Sequence, residues 1–273
     1  MTASTAIRPY AAANGKGRHD SVSVMLPAGP VAPTDPFDRN RVLALLPPGE
    51  RTWMRERLER VDARSGECLA ESEQPYSHVY FPETSVASLV NPTDEGMVEV
   101  GTVGNEGVVG LSVFLGGDTF PARTIWQVRG QALRMPSALF MQGVETRPVL
   151  DRLLRRYAHA FLVQVAQTAS CNRKHALEQR CARWLLMTHD RVMADTFGLT
   201  HQFLGFMLGV HRPGVTLAAQ VLQRAGLISY TRGQITVVDR EGLEASSCEC
   251  YGVVRDHFTR ALHDVGREAR LPA

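Results

Sequence analysis

The sequence has few of the features that mark membrane, secreted or catalytic proteins. No apolar run approaches the ~18 residues that a membrane span requires. No apolar stretch follows the N-terminal basic residues Arg8, Lys16 and Arg18, so the sequence indicates no secretory signal. It also contains no P-loop, nucleophile elbow or HExxH motif. We therefore expect a cytoplasmic protein that has no membrane partner and is not an enzyme.

Cysteine is scarce in the first half of the chain. Only Cys68 precedes residue 171, and the other four are Cys171, Cys181, Cys248 and Cys250. An odd number of cysteines without an export signal is typical of reduced thiols. Cys248 and Cys250 could supply two thiolates to a metal ion, with Cys171 or Cys181 as distant partners, but a CxC pair alone favours unlinked cysteines.

Lysine is nearly absent, and acidic residues are missing from one long window. Of the 30 basic residues, only Lys16 and Lys174 are lysines, so 28 are arginines, whose forked donor suits carboxylate and phosphate. The net charge is only +2, yet residues 196–238 contain no Asp or Glu in a chain that has 28 acidic residues. An acid-free surface favours approach to phosphates. This window is therefore the first candidate for a nucleic-acid contact.

The 273 residues, 44% of them hydrophobic, are enough for two domains. The first 36 residues hold five of the 15 prolines and predict a disordered tail. Short apolar helices should follow, one over 42–46 that stops at Pro47–Pro48 and one that carries Trp53, Met54 and Leu58.

Between residues 67 and 135, runs rich in β-branched and aromatic residues alternate with glycine-containing turns. This pattern predicts a roll or jelly roll of about eight short strands. Glycines recur at 101, 104, 107 and 110, and we assign them to tight corners of the roll.

After Pro136 the apolar period becomes helical. One continuous stripe predicts a helix from Pro148 to about Cys171, followed by a second over about 175–192. Since a small roll cannot cover both sides of so long a helix, we favour pairing with a twin subunit. The predicted dimer interface is Leu150, Leu154, Tyr157, Phe161, Val165 and Thr168.

The segment from Leu199 to Leu222 has the spacing of a helix-turn-helix. Thr200 is a good N-cap, Gly205 allows close helix crossing, and Gly209 can end the first helix with a positive φ. Pro213 falls in the first turn of the second helix, where proline is tolerated. Residues 227–238 predict a β-hairpin with Arg232-Gly233 in its turn, which would form a wing.

In this order of elements the sequence resembles the Crp/Fnr family of bacterial transcription regulators, from about Phe37 to Leu243. The resemblance implies an α+β, two-domain chain with a cyclic-nucleotide-binding-like β-roll, a dimerisation helix and a C-terminal winged helix-turn-helix. The predicted boundaries are a tail over 1–36, a roll over 37–147, a dimerisation helix over 148–172, a DNA-binding domain over 173–245 and a helical extension over 246–273. The implied partners are double-stranded DNA, a second copy of the chain and RNA polymerase.

The resemblance also places the DNA contacts. Arg212 keeps the bidentate donor that suits a guanine edge. The departures are Pro213, Gly214 and Leu217, which replace residues that usually contact DNA in the family, so the operator should differ from the usual half-site. Contacts with or near phosphates are expected from Thr200, His201, Gln202, His211, Thr216, Arg232 and Gln234.

Cyclic-nucleotide-binding members of the family carry a Gly-Glu pair and an Arg-x-Ala. Here no Glu follows Gly110, and no Ala stands two residues after Arg123. We therefore predict no cofactor and no tight binding of cAMP or cGMP. A haem ligated by His78 is disfavoured because a lone strand histidine is usually structural. Two alternatives stay open: a redox- or metal-responsive regulator that uses Cys248 and Cys250, and a dimeric adaptor that does not bind DNA.

Overall fold

The computed structural model describes residues 35–94, 96–117 and 119–268, with side chains to residue 262. The predicted tail lies almost entirely outside these ranges. The described chain begins with a 3-10 helix, Pro36–Arg39, then α1 (Arg41–Ala44) and α2 (Pro48–Arg55). Helix α2 was predicted to include Leu58, and this was wrong. The helix begins with Pro48 in its first turn and ends at Arg55.

Seven antiparallel strands form the roll in the described chain, one fewer than the eight predicted. The first strand begins at Glu59, before the predicted β-rich region. They form two sheets with the orders β1-β7-β3 and β2-β6-β4-β5. The strands are β1 (Glu59–Ala63), β2 (Cys68–Ala70), β3 (His78–Pro82), β4 (Val86–Thr93), β5 (Gly96–Val103), β6 (Arg123–Val128) and β7 (Gly130–Pro136). A short helix, α3 (Leu111–Phe114), lies between β5 and β6.

Helices dominate the rest of the chain. After α4 (Ser137–Thr146), the predicted long helix is α5 (Pro148–Lys174), and α6 (Leu177–Val192) follows it. The carboxylate of Glu50 accepts hydrogen bonds from the backbone N–H groups of Val149 (3.1 Å) and Leu150 (2.8 Å). This negative charge satisfies two free donors at the start of α5. No helix in the described ranges is both long and apolar enough to cross a bilayer.

The C-terminal part contains a small three-stranded sheet and four helices. Its elements are β8 (Thr196–Gly198), α7 (His201–Leu208), α8 (Arg212–Arg224), β9 (Ile228–Thr231), β10 (Gln234–Val237), α9 (Arg240–Ser246) and α10 (Cys250–Glu268). Strand β10 lies between β8 and β9. The predicted hairpin thus pairs with a third strand, β8. This strand has three residues, too few to give a recognisable sequence pattern. Helix α10 packs along α5.

The glycines assigned to tight corners have a different role. A methyl group at Gly101 would lie 2.7 Å from Phe161 Cζ, and one at Gly104 would lie 2.5 Å from Arg191 Cγ. At Gly107 it would overlap the ring of Tyr157. These three glycines let β5 and the following loop approach α5 and α6 closely. Of the series, only Gly110 has a positive φ, +94°.

The predicted dimer stripe on α5 faces its own chain. Leu150, Leu154 and Tyr157 are fully buried, and Phe161 is 9% exposed. Tyr157 donates to the backbone oxygen of Val108 at 3.3 Å. The chain itself thus covers these four side chains, with Phe258 of α10 against Tyr157, and leaves them almost no exposed surface for a second copy. Val165 and Thr168 are half-buried.

A buried polar network joins the roll to α6. The Ser88 hydroxyl lies 2.6 Å from Glu99 Oε2 and 2.5 Å from Gln127 Oε1. On the α6 side, Trp184 Nε1 donates to Glu99 Oε1 (3.0 Å), and Gln127 Nε2 donates to Thr188 (3.2 Å). The one serine proton can go to Gln127 Oε1 when a protonated Glu99 donates to the serine oxygen. Consistently, burial raises the pKa of Glu99 to about 7.

Candidate nucleic-acid interface

Local backbone chemistry fixes the helix-turn-helix. The Thr200 hydroxyl accepts from the backbone N–H of Phe203 at 3.1 Å and caps α7. Gly209 ends that helix with φ +61°, a conformation that favours glycine. A methyl group at Gly205 would lie 2.8 Å from the backbone oxygen of Val210, so only glycine fits without a shift. The turn therefore holds α8 closely against α7.

The start of α8 is exposed. His211 is its N-cap residue, and Arg212 and Pro213 occupy its first turn. Leu217, one turn further on, is 61% exposed, whereas Val215 is fully buried. Helix α8 thus buries one face and leaves the predicted reading residues on the other.

Eight of the eleven predicted DNA-contact residues are exposed, and three are half-buried. The exposed ones are Thr200, Gln202, His211, Arg212, Pro213, Leu217, Arg232 and Gln234. The half-buried ones are His201, Gly214 and Thr216. Gly214 also has a packing role, because a methyl group there would lie 3.2 Å from Leu177 Cδ2 on α6.

His201 lies between the two helices and the wing. Its ring stacks on Tyr230 with centroids 4.1 Å apart, and its Nδ1 lies 3.1 Å from the Thr216 hydroxyl. That hydroxyl donates to the backbone oxygen of Arg212 at 3.0 Å, so Nδ1–H is the donor to Thr216. Burial, with a smaller contribution from the charge of Arg212, lowers the pKa of His201. A neutral His201 positions α8 and the wing and adds no positive charge.

The wing places a cation at its tip. Arg232 adopts a left-handed conformation with φ +50°, and Gly233 follows with φ +77°. Two successive positive φ values match the turn that a short hairpin needs. An arginine at such a position carries a backbone cost that glycine or asparagine would avoid. The turn leaves Arg232 exposed on the acid-free segment.

The roll reaches the helix-turn-helix through its β4–β5 hairpin. A methyl group at Gly209 would lie 3.4 Å from Val98 Cγ1, and one at Gly96 would lie 3.7 Å from the ring of Phe206. A shallow cleft of about 180 Å³ separates the hairpin from the turn, and Arg212 is one of its lining residues. A movement of this hairpin would therefore act directly beside the exposed end of α8.

A larger cavity, about 650 Å³, lies between the roll and α5. Apolar side chains including Leu89, Val103 and Phe161 line most of it. No Arg, Lys, Asp or Glu is among its lining residues in the described ranges. Arg123 is instead paired with Glu71 at 3.1 Å.

Four possible metal ligands meet on the side of α5 that receives α10. The ligand atoms of Cys171, His175, Cys248 and Cys250 all lie within 4.8 Å of one another. The structure selects Cys171 as the partner of the CxC pair, and Cys181 is buried outside this group. His175 was missed: it is the C-cap residue of α5, and its backbone is extended (φ −101°, ψ 150°), so helical spacing does not group it with Cys171.

Residues 179–246 match the family model described as a Crp-like helix-turn-helix domain. No curated protein matches the chain. The fold is similar to that of FixK2 from Bradyrhizobium japonicum, with 16% identity, 70% of this chain and 98% of that one covered, and a TM-score of 0.60. It is also similar to a transcriptional regulator of the CRP/FNR family from Thermus thermophilus, with 19% identity, 69% and 98% coverage and a TM-score of 0.54.

A third similar structure is the c-di-GMP responsive global regulator CLP of Xanthomonas campestris. It shares 17% identity, with 69% of this chain and 98% of that one covered, and a TM-score of 0.52. The Thermus thermophilus and Xanthomonas campestris proteins are both described as regulators.

Proposed function

The chain carries a Crp-like helix-turn-helix domain and has the fold of Crp/Fnr transcription regulators, and from this premise we propose that it binds a pseudo-palindromic operator as a homodimer. Two copies of α8 would enter successive major grooves about 34 Å apart. The observation that carries the proposal is the exposed N-terminal end of α8, with Arg212 in its first turn on a 43-residue segment that has no acidic residue.

Arg212 is the residue that we expect to read bases. Its guanidinium can donate two parallel hydrogen bonds to the O6 and N7 atoms of guanine. Leu217 offers apolar contact to a thymine methyl group, and Pro213 and Gly214 offer no side-chain hydrogen bond. The wing arginine, Arg232, would contact the phosphate backbone. These side chains favour an operator unlike the family's usual half-site.

The outer face of α5 supports dimerisation. Leu162 is 66% exposed on this face, beside the buried stripe of α5. Nearby, Leu115 is 65% exposed, and both side chains line the mouth of the apolar cavity. A second copy would bury these groups, and a two-fold axis along α5 would pair the two helix-turn-helix units. The proposed interface is thus Leu162, Leu115 and the half-buried Val165, in place of the inner stripe.

The roll would act as a sensor that does not take a cyclic nucleotide. A cyclic phosphate favours an arginine or lysine in its site, and the described lining of the cavity has neither, although it includes His159. A signal at the roll could reach α8 through the β4–β5 hairpin or through the Glu99 network. Contact with RNA polymerase remains a prediction from the family resemblance.

Selection of random duplex DNA by the full-length chain tests the function. We expect recovery of a two-fold sequence whose half-sites are one helical turn apart and contain a guanine read by Arg212. Recovery of the family's usual half-site would contradict the predicted change of operator. Failure to enrich any sequence would favour the adaptor without DNA binding.

A further inference from the structure

We propose that Cys171, His175, Cys248 and Cys250 bind one zinc ion, which fastens the two ends of the DNA-binding domain together. Cys171 lies in the last turn of α5 and His175 directly follows that helix, while Cys248 lies two residues before Cys250, the first residue of α10. The segment that matches the helix-turn-helix family, 179–246, lies between the two pairs. An ion at this point would join the two ends of that segment.

The distances fit a single tetrahedral ion. Zinc–sulfur bonds of about 2.3 Å and zinc–nitrogen bonds of about 2.0–2.1 Å put two sulfurs about 3.8 Å apart and a sulfur and a nitrogen about 3.6 Å apart. The sulfurs of Cys171 and Cys248 are 3.5 Å apart, and Cys250 Sγ is 3.6 Å from His175 Nδ1. A disulfide would need about 2.05 Å between the sulfurs. A cluster of several irons would spread its ligands over separate metal atoms.

The ligand types and burial favour a closed structural site. Cys171, Cys248 and Cys250 are 0%, 3% and 2% exposed. Three thiolates and one imidazole are a common zinc set and leave no open position for a substrate. Thiolates are soft ligands that disfavour magnesium and calcium.

The surroundings of the site also suit a bound ion. His175 Nε2 lies 3.1 Å from Glu249 Oε1, so Nε2–H can donate to this carboxylate while Nδ1 faces the ion. A carboxylate in this position is the usual partner of a metal-bound histidine. Three thiolates around Zn²⁺ carry one net negative charge, and Arg183, which is 6% exposed, places a positive charge near Cys171.

The decisive experiment uses the full-length wild-type chain. Elemental analysis of the purified protein should give about one zinc per chain. After removal by a chelator, Co²⁺ should bind with the strong visible absorption of a tetrahedral thiolate site, and Zn²⁺ should displace it. Less than a tenth of an equivalent after reconstitution would overturn the proposal. So would iron with inorganic sulfide, or a Cys171–Cys248 disulfide in non-reducing peptide mapping.

Variants then assign the ligands. Cys248→Ser and Cys250→Ser should lose the cobalt spectrum, whereas Cys68→Ser and Cys181→Ala, which alter cysteines outside the group, should keep it. Equal loss in the controls would contradict the assignment. Glu249→Gln should bind one ion with an affinity 10–100-fold lower, because its role is to orient His175. Unchanged affinity would exclude that role. These readouts do not depend on DNA binding, so the zinc site and the proposed function can fail separately.

Discussion

The two functional regions of this chain have opposite chemistry. The cavity between the roll and α5 is lined mainly by apolar side chains, with His159 but no Arg, Lys, Asp or Glu in the described lining. The helix-turn-helix exposes Arg212, Arg224 and Arg232 on a segment without acids. Both regions belong to one fold, so the fold does not dictate the chemistry of its sites. The helix-turn-helix exposes groups that fit a phosphate backbone, whereas the described cavity lining contains no Arg or Lys.

The largest effect is expected in the apolar region, at Leu162 beside the cavity between the roll and α5. Leu162→Glu should raise the dimer dissociation constant more than 100-fold, because each copy would bury a carboxylate in an apolar interface, at several kcal/mol. The monomer should remain folded, since Leu162 is exposed in the single chain. Sedimentation equilibrium measures the change. Val238→Glu, at a 62% exposed position away from α5, is the control. A dimer of unchanged stability would refute the assigned face.

The pH dependence of stability tests the buried polar network around Glu99, which links the roll to α6. Its pKa in the folded protein, about 7, lies above the ordinary value of 4.5. Between these pH values the folded chain holds a proton that the unfolded chain has released. The free energy of unfolding should therefore fall as the pH rises from 4.5 to 7, by roughly 2–4 kcal/mol from this group.

Glu99→Gln should remove that fall, because an amide can donate to Ser88 and accept from Trp184. The variant should be more stable than the wild type at pH 8, and the difference should shrink toward pH 4. Urea unfolding across this range measures it, with the exposed Glu59→Gln as control. Parallel stability curves for Glu99→Gln and the wild type would show that Glu99 is not protonated in the folded protein.

Gly205→Ala tests the packing that presents α8. The added methyl group would lie 2.8 Å from a backbone oxygen, and we expect a loss of about 1–3 kcal/mol in the free energy of unfolding. Gly49→Ala, where no atom lies within 4 Å of the added group, should cause no loss. Urea denaturation compares the two. Equal stability of both variants would show that close packing at the turn is not required.

Arg212→Ala tests base reading. Specific affinity should drop by about 1–3 kcal/mol, and one base position should become less selective. Arg224→Ala, at the far end of α8, should weaken binding to all sequences alike. Equilibrium titration of the selected operator and its single-base variants makes the measurement. An Arg212→Ala protein with unchanged base preference would contradict the assigned role.

The smallest effect is expected for cyclic nucleotides. Calorimetric titration of the full-length chain with cAMP or cGMP should show no tight binding, because the described cavity lining offers no Arg or Lys. A submicromolar affinity would show that a charged group reaches the cavity after all.

Sequence patterns predicted the helix-turn-helix well because its determinants are local. The N-cap Thr200, the turn glycine Gly209 and the wing turn at Arg232-Gly233 each act within a few residues. The length of α5 also followed from its apolar period. The spacing of apolar residues does not show which part of the molecule packs against each of them. Leu154 and Tyr157 form a regular stripe whether a twin subunit or the roll covers them.

The cysteine group shows the same limit. Cys171 and Cys248 are 77 positions apart, and no local pattern pairs them. The CxC motif left a metal open but favoured unlinked cysteines, and the choice between Cys171 and Cys181 needed the packing of α10 along α5. His175 stands four residues after Cys171, but its backbone is extended at the end of α5, so no local pattern grouped it with the cysteines. Likewise, glycines 101, 104 and 107 were assigned to corners of the roll because the side chains that they contact lie on helices distant in the sequence.

The salt dependence of binding to the selected duplex tests the central claim most directly. If the acid-free face of the helix-turn-helix contacts phosphates, affinity should fall steeply, by tenfold or more between about 50 and 200 mM salt, as fewer counterions are released. The selected duplex should stay preferred over an unrelated one throughout. Absence of duplex binding at low salt, or binding that does not change with salt, would contradict a DNA-binding role and favour a dimeric adaptor.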